Sequence, residues 1–222
     1  MQQNLTAIVI GATGLVGRHL IQELVNDQRF NKIKIFSRRS PEISSPKIEE
    51  HLIDFDQLAE YKSHIQGDVL FSCMGTTIKT AGSKEVQYKV DYTYQFHMAQ
   101  FARENGVPDY VLVSSTGANP KSSVFYSRMK GELERDVKEL GFQRCIFIRP
   151  SVLMGERPEF RLGEVIGGKV INTLSAILPF LKKYKGILGQ DVAKSMLEIY
   201  HVEQDHGTQI FALDQLRKYL KN

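Results

Sequence analysis

The chain has 222 residues, of which 42% are hydrophobic and 24% are charged, and its formal net charge at pH 7 is +4. This length allows a sizeable core within one domain, so we expect residues 1–222 to form a single domain. The basic residues are spread along the chain instead of forming one block, which excludes charge as an argument for nucleic-acid binding.

Short β-branched segments alternate with longer segments of helical period. This alternation is typical of a parallel sheet that is covered by helices on both faces. We count six or seven strands, the last of which would be an outer strand. They are residues 5–10, 32–36, 48–53, 69–73, 110–114, 144–148 and 209–213. The pattern predicts an α/β fold with a doubly wound parallel sheet.

Four segments between or after these strands have the apolar spacing of amphipathic helices. They are residues 14–26, 84–104, 124–140 and 192–200. Gly106 and Gly141 follow the second and third of these helices, where a glycine can adopt the left-handed conformation that ends a helix. Asp191 precedes the fourth helix and is expected to cap it.

Residues 151–190 interrupt the alternation, because glycine and proline recur there. We expect this part of the chain to form a small, irregular or helical appendage on the substrate side of the sheet. Its apolar stretch at residues 166–185 also contains lysines and falls short of the ~20 apolar residues that cross a bilayer. We expect it to be appendage core, a substrate lid or a subunit contact, with attachment to an anionic membrane surface as the alternative.

Three glycines at a spacing of three residues follow the first predicted strand and open the first predicted helix. Gly11 would permit a tight turn, Gly14 would let a pyrophosphate approach the backbone, and Gly17 would allow close packing of helix on strand. Free N–H groups and the helix dipole would face the anion. The loop therefore predicts a site for a nicotinamide dinucleotide, with glycines that only turn the chain as the alternative. The other members of the loop are Ala12, Thr13, Leu15 and Val16.

The end of the second predicted strand indicates which dinucleotide is preferred. A site selective for NAD(H) would normally place an acidic side chain there, against the ribose 2′-hydroxyl. This chain has Ser37, Arg38 and Arg39 instead. A hydroxyl and guanidinium groups can bind a 2′-phosphate that a carboxylate would repel. We therefore expect NADP(H) to be preferred and NAD(H) to be possible, unless the arginines are only solvated surface groups.

Two further strand ends carry candidate cofactor contacts. Asp54 and Phe55 follow the third predicted strand, and Gly75, Thr76 and Thr77 follow the fourth. Open α/β sheets bind ligands at the carboxyl ends of their strands, so these residues are expected to line the adenine and ribose. Ordinary turn chemistry is an equally good explanation, since Asp and Gly favour turns.

A possible proton-transfer site follows the fifth predicted strand. Tyr126 and Lys130 are four residues apart on a predicted helix and therefore share a face. A phenol is a poor base at neutral pH, but a nearby ammonium favours the phenolate. A hydroxyl of Ser114, Ser115 or Thr116 at the strand end can meet the tyrosine, and the sequence leaves open which one does. The alternative is an exposed tyrosine–lysine pair on a helix surface.

Together these motifs resemble the short-chain dehydrogenase/reductase superfamily, over nearly the whole chain. The resemblance rests on Gly11-xx-Gly14-xx-Gly17, the Ser115 strand end and Tyr126-xxx-Lys130. A narrower set of motifs is similar to the atypical branch that contains the Tat-interacting oxidoreductase-like proteins. This set is Cys73-Met74-Gly75-Thr76-Thr77, Ser114-Ser115-Thr116-Gly117-Ala118, Tyr126-xxx-Lys130-Gly131-Glu132 and Arg149-Pro150.

The resemblance implies a Rossmann fold that binds NADP(H). It implies that Tyr126 donates or accepts a proton, that Lys130 binds the nicotinamide ribose and tunes the tyrosine, and that Ser115 orients a substrate oxygen. Ser114 would join Tyr126 and Lys130 in contacting the cofactor. A segment near the nicotinamide is also implied, formed by Arg149, Pro150, Ser151 and Val152. Many members use a helix asparagine in a proton relay, whereas this chain has Asp91-Tyr92-Thr93-Tyr94 in that neighbourhood.

The sequence thus predicts an NADP(H)-dependent oxidoreductase that transfers a hydride to or from a small carbonyl or alcohol substrate. The alternative is a non-catalytic NADP(H)-binding module that regulates or binds a partner protein. A sugar-nucleotide epimerase would need a larger C-terminal domain. The histidines and cysteines lack metal-ligand spacing, so no metal is expected. With no export signal at its start, the chain is expected to be cytoplasmic and possibly a homodimer.

Overall fold

The structure is a computed structural model that describes residues 4–155 and 186–220, and nine strands lie within them. These are β1 Leu5–Ile10, β2 Phe30–Ser37, β3 Ile48–Leu52, β4 Val69–Ser72, β5 Asp109–Val113, β6 Arg144–Arg149, β7 Leu153–Met154, β8 Ile187–Leu188 and β9 Gly207–Ala212. Seven of them form one parallel sheet in the order β3-β2-β1-β4-β5-β6-β9. The strand order reverses between β1 and β4, which is the point where such sheets bind ligands. The predicted doubly wound parallel sheet is confirmed.

Seven α-helices connect the described strands or follow them. These are α1 Gly17–Asn26, α2 Ile78–Ala81, α3 Lys84–Tyr88, α4 Tyr94–Glu104, α5 Phe125–Glu139, α6 Gly189–Val202 and α7 Leu213–Leu216. Residues Phe55–His64 and Arg217–Leu220 are 3₁₀ segments, and residues Lys89–Thr93 form a π-helical turn between α3 and α4.

Both faces of the sheet are buried, which explains why its strands are almost continuously apolar. Helices α1 and α6 pack together on one face through Leu20, Ile21, Val192 and Met196. Helices α4 and α5 cover the other face through Met98, Ala102, Leu133 and Val137. Alternate residues of β1 serve the two cores.

A buried arginine fixes the C-terminal part of the sheet. Arg144, in β6, donates from Nε to Oδ1 of Asp109 in β5 at 3.0 Å. Its Nη1 donates to the carbonyl oxygens of Tyr200 and Glu203, at 3.1 and 2.9 Å, where α6 ends. The guanidinium also lies 4.6 Å from the centre of the Tyr200 ring. One side chain therefore joins two strands to the end of α6.

Several predicted boundaries differ from the structure. The first helix begins at Gly17 instead of residue 14, because the glycine turn precedes it. The predicted helix 84–104 is interrupted by the π-helical turn. Asp191 lies inside the first turn of α6, whose N-cap is Leu188, so the predicted capping role is wrong. Gly106 and Gly141 have φ values of +85° and +75°, the left-handed conformation expected after their helices.

The appendage expected at residues 151–190 falls largely on residues 156–185, outside the described residues, as does the apolar stretch 166–185. The flanking described residues form a two-stranded parallel ribbon in which β7 pairs with β8. None of the helices in the described ranges combines the length and the apolar character needed to cross a membrane.

Candidate functional site

The glycine loop after β1 is closed tightly by its first and third glycines. Gly11 has a φ of +77°, and a Cβ there would lie 2.4 Å from the carbonyl carbon of Cys73. A Cβ on Gly17 would lie 2.2 Å from the carbonyl oxygen of Gly11. The N–H of Gly14 donates to the same oxygen at 3.0 Å. A side chain on Gly11 would push the loop off the segment that follows β4, and one on Gly17 would push the start of α1 off the loop.

The remaining features of this loop suit a pyrophosphate. Gly14 has two neighbours within 4 Å of its ideal Cβ position, the carbonyl oxygens of Gly11 and Cys73 at 3.1 and 3.7 Å, so its outer side stays approachable. Helix α1 starts directly behind it, and the N-cap Val16 has an apolar side chain that cannot bond the first turn. The helix N-terminus thus presents a positive dipole end. Val16 is buried, Leu15 is half-buried and Thr13 is exposed.

The end of β2 presents two unpaired cations. Arg38 and Arg39 are both exposed, and neither guanidinium group forms a hydrogen bond or an ion pair with a described residue. Ser37 is buried, and its Oγ donates to the carbonyl oxygen of Arg39 at 2.8 Å. Ser37 therefore shapes the turn that carries the arginines, and the guanidinium groups stay available to an anion.

The predicted adenine and ribose contacts serve mainly as turn and cap residues in this structure. Asp54 caps the 3₁₀ segment by accepting from the N–H of Asp56 at 2.9 Å. Phe55 is buried and stacks on Tyr94 with 5.3 Å between ring centres. Thr77 caps α2 by accepting from the N–H of Thr80. These residues keep their exposed atoms and backbone for a ligand, while their main contacts are internal.

Gly75 and Thr76 lie next to the predicted proton-transfer pair. The N–H of Thr76 donates to Oδ2 of Asp91 at 2.7 Å, and Gly75 is exposed. The other carboxylate oxygen of Asp91, Oδ1, lies 3.1 Å from Nζ of Lys130. The side chains of Asp91 and Lys130 are 0% and 2% exposed. The loop after β4 and the lysine of α5 therefore meet on one buried carboxylate.

Lys130 is a buried ammonium that interacts with Tyr126. Burial lowers the pKa of Lys130, but the carboxylate of Asp91 and the phenol of Tyr126 outweigh it, and the pKa is raised above its ordinary value. Tyr126 lies in the first turn of α5, one helical turn before Lys130, and is 39% exposed. An accessible phenol beside a buried cation can pass a proton to or from a ligand.

The loop from Ser114 to Ser122 brings strand-end hydroxyls towards the start of α5. Ser114 is buried, and its Oγ has no hydrogen-bond partner among the described residues. Ser115 Oγ donates to the carbonyl oxygen of Thr116 at 3.3 Å, and Thr116 Oγ1 donates to the carbonyl oxygen of Arg149 at 3.1 Å. Of the three hydroxyls, Ser114 has the buried oxygen that lacks a protein partner, and Ser115 makes only a long local bond.

The segment after β6 contributes backbone rather than charge. The guanidinium of Arg149 bonds to Glu134 of α5, with Nε 3.0 Å from Oε1. The carbonyl oxygen of Pro150 accepts from the N–H of Thr116 at 2.9 Å, and that of Val152 accepts from the N–H of Ile187 at 3.0 Å. Ser151 is half-buried between them. The segment lies beside the loop after β5, at the carboxyl ends of the strands, as the glycine loop does.

Comparison with known proteins identifies the family of this chain. Residues 11–164 match the model of a family described as NAD(P)H-binding. The chain belongs to this NAD(P)H-binding family. It is an atypical short-chain dehydrogenase/reductase similar to HTATIP2, as the motifs predicted. The match begins at Gly11 and spans the site from the glycine loop to the segment after β6.

Relatives of this family member cover most of its length. Protein fmp52 of Emericella nidulans is 33% identical over 212 residues, which is 90% of this chain and 91% of the relative. Protein HTATIP2 of Rattus norvegicus is 36% identical over 176 residues, 78% of this chain and 72% of the relative. MoeE5 in complex with UDP-glucuronic acid and NAD has the same fold, with a TM-score of 0.70 and 17% identity over 93% of this chain and 75% of that one.

The names of these relatives correct one expectation. The fmp52 proteins of Aspergillus niger, Emericella nidulans and Candida glabrata are all named as mitochondrial. The expected cytoplasmic location is therefore wrong on this comparison. That expectation rested on the sequence of the first residues, which says little about location when the signal is not of the export type.

Sequence reasoning missed two residues of this family member's site. The sequence places Asp91 where an asparagine is common, but no pattern indicates its ion pair with Lys130. Gly131 belongs to the motif Tyr126-xxx-Lys130-Gly131-Glu132, which does not indicate its packing role. A Cβ on Gly131 would lie 2.3 Å from the carbonyl carbon of Asn119 and from the nitrogen of Pro120, so the loop after β5 rests directly on α5 there. An acid within an apolar helical segment and a glycine in mid-helix were the available signals.

Proposed function

We propose that this protein is an NADP(H)-dependent oxidoreductase that transfers a hydride to or from a small carbonyl or alcohol substrate. The observation that carries the proposal is the pairing of the accessible phenol of Tyr126 with the buried ammonium of Lys130. The pair lies beside the loops that follow β4 and β5, at the carboxyl ends of the strands, where the glycine loop also lies. Family membership supplies the dinucleotide.

Each side chain of the site would have a separate role in the reaction. When bound, a reduced nicotinamide would supply the hydride that reaches the carbonyl carbon. The hydroxyl of Tyr126 would donate its proton to the carbonyl oxygen, so that an alcohol forms. The ammonium of Lys130 would stabilise the negative charge that the departing proton leaves on the phenolic oxygen. Ser115, or the unpartnered Oγ of Ser114, would hold the substrate oxygen by a hydrogen bond.

The residues of the dinucleotide site favour the phosphorylated form of the cofactor. Gly14 and the start of α1 would hold the pyrophosphate, and Arg38 and Arg39 would bind the 2′-phosphate. Hydrogen bonds to charged groups contribute roughly 1.5–3 kcal/mol each, or about ten- to hundredfold in affinity. We expect Arg38→Ser with Arg39→Ser to weaken NADPH binding by at least about tenfold and to leave NADH binding nearly unchanged. Fluorescence titration measures both, and equal affinities of the wild type for NADPH and NADH would contradict the preference.

Replacing Tyr126 tests the catalytic role. Tyr126→Phe removes only the hydroxyl, so we expect loss of NADPH oxidation with small aldehydes, ketones and α-diketones while the dissociation constant for NADPH stays within about twofold. General acid catalysis contributes roughly 10²–10⁴-fold, which sets the expected loss. Tyr219→Phe, a change at the C-terminal end of the described chain, is the matched control and should retain the wild-type rate. Retained turnover in Tyr126→Phe would exclude the proposed role.

The same assay separates the enzyme from a binding module. A non-catalytic protein would bind NADPH without oxidising it in the presence of any carbonyl of the panel, and Tyr126→Phe would change nothing. Detection of NADPH oxidation that depends on Tyr126 therefore decides between the two functions.

A further inference from the structure

One carboxylate connects the lysine of the site to the loop after β4. Asp91 is completely buried, with Oδ1 3.1 Å from Nζ of Lys130 and Oδ2 2.7 Å from the N–H of Thr76. The two partners belong to different elements, one to α5 and one to the loop Gly75–Thr77. A movement of either one is therefore transmitted to the other through two short contacts.

The backbone around Asp91 is built to hold this carboxylate in place. Asp91 lies in the π-helical turn Lys89–Thr93, in which the N–H of Tyr94 reaches the carbonyl oxygen of Lys89. Such turns insert one extra residue into a helix and are frequent at functional sites. The side-chain amide of Gln95 donates to the carbonyl oxygen of Asp91 at 2.7 Å.

The network continues into the sheet. The Oγ of Ser72, at the end of β4, donates to Oε1 of Gln95 at 2.7 Å, and both side chains are completely buried. Hydrogen bonds thus run from β4 through Gln95 to the backbone of Asp91, and the carboxylate of Asp91 forms the ion pair with Lys130. Breaking one of these buried hydrogen bonds would leave a desolvated group unpaired, so they hold the backbone of Asp91 in place.

We propose that Asp91 is a positioning residue of the site: its carboxylate holds the Lys130 ammonium beside Tyr126 and ties it to the loop Gly75–Thr77. This inference rests on the proposed oxidoreductase function, because it assigns the role to the same pair. Asp91 would act on the reaction through Lys130. It would take the place that a neutral asparagine has in other members of the superfamily, and it would differ from one by adding a negative charge.

The charges around Lys130 identify Asp91 as the decisive anion. The carboxylates that face the ammonium are Asp91 from the π-helical turn and Glu134 from α5, and the phenol of Tyr126 lies on the same helix. Glu134 is already bonded to the guanidinium of Arg149 from β6. A fully buried ammonium without a counter-charge gives up its proton far more easily than one in water. Removing Asp91 should therefore turn Lys130 into a neutral amine at a lower pH.

The substitution Asp91→Asn removes the charge and keeps an oxygen that can accept from Thr76. We expect the pKa of the Lys130 ammonium to fall below its wild-type value in a nitrogen-NMR titration of the lysine side chains, with Lys130→Met used to assign the signal. We also expect the rate of NADPH oxidation to decline from a lower pH than in the wild type, by about tenfold for each pH unit above the new pKa, while KM for NADPH changes little. Asp136→Asn, which removes a carboxylate of α5 that bonds Tyr92 and Arg135, is the control and should leave both profiles unchanged.

The outcomes separate the two proposals. An unchanged Lys130 titration and an unchanged pH profile in Asp91→Asn would overturn the role of Asp91, even if Tyr126→Phe is inactive. A lowered Lys130 titration in a protein that oxidises no NADPH would uphold the ion pair and refute the oxidoreductase function. If Asp91→Asn does not fold, Asp91→Glu takes its place: the longer side chain cannot keep both contacts, so the rate should fall by ten- to about hundredfold, and a wild-type rate would overturn the proposal.

Discussion

The contact between Gly131 and the loop after β5 allows a quantitative test of how the site is held. In Gly131→Ala, the new Cβ would lie 2.3 Å from the backbone of Asn119 and Pro120, so that the loop must retreat by about 1 Å to reach ordinary contact. Overpacking of this kind costs about 1–3 kcal/mol. Alanine returns up to about 1 kcal/mol through its higher helix propensity. Because backbone atoms cannot rotate away, we take the upper end and expect a net loss of about 2 kcal/mol.

For a chain of this size, such a loss lowers the melting temperature by roughly 4–8 °C. Thermal unfolding followed by circular dichroism measures it. The displaced loop carries Ser114 and Ser115, so the rate of NADPH oxidation should also fall, by up to about hundredfold for a 1 Å displacement. Gly141→Ala is the control, because its φ of +75° costs about 1–2 kcal/mol in open space away from the site and should leave the rate intact. A Gly131→Ala protein with wild-type melting temperature and rate would refute the reasoning.

Two further predictions concern stability. Burial lowers the pKa of His201 below 6.5, and this exceeds the opposite effect of Asp27, which lies 2.9 Å away. The histidine is therefore neutral in the fold, and its contribution to stability is complete above pH 6.5. The free energy of unfolding should decrease as the pH falls below that value. His201→Gln should flatten this part of a series of urea-unfolding measurements at different pH values, and an unaltered slope would contradict the prediction. Arg144→Met should lower the free energy of unfolding by about 3–5 kcal/mol, because it leaves the carboxylate of Asp109 buried and unpaired. Adding Asp109→Leu should recover part of this loss. No recovery in the double variant would show that packing, and not charge, is decisive.

The sequence was sufficient for the sheet, because each strand of a doubly wound fold is buried on both faces and therefore reads as an apolar run. It was also sufficient for the glycine loop, whose spacing is dictated by close backbone contacts such as that of Gly17 with Gly11. The π-helical turn could not be predicted in the same way. Its one-residue insertion leaves the helical period nearly intact, so the pattern predicts one uninterrupted helix over residues 84–104.

The partners of individual side chains could not be predicted from the sequence either. The family resemblance implies that Arg149 lies near the nicotinamide, and no local pattern indicates that its guanidinium bonds to Glu134, 15 residues earlier in the chain. Asp191 precedes an apolar segment and looked like a cap, yet Gly189 and Gln190 already belong to the helix. Whether a polar group faces a ligand or an internal partner depends on contacts between distant elements, which no local pattern records.

The packing of α6 on α1 also bears on how the protein is made. Helix α1 carries the start of the dinucleotide site, and Gly189 at the other end of the chain comes so near to Leu15 that a Cβ would lie 2.6 Å from its carbonyl oxygen. During synthesis, the ribosome releases the glycine loop long before α6 and β9 exist. The apolar face of α1 and the unpaired side of β6 therefore stay uncovered until α6 and β9 have been synthesised. We expect the packing of these distant segments to be a slow step of folding.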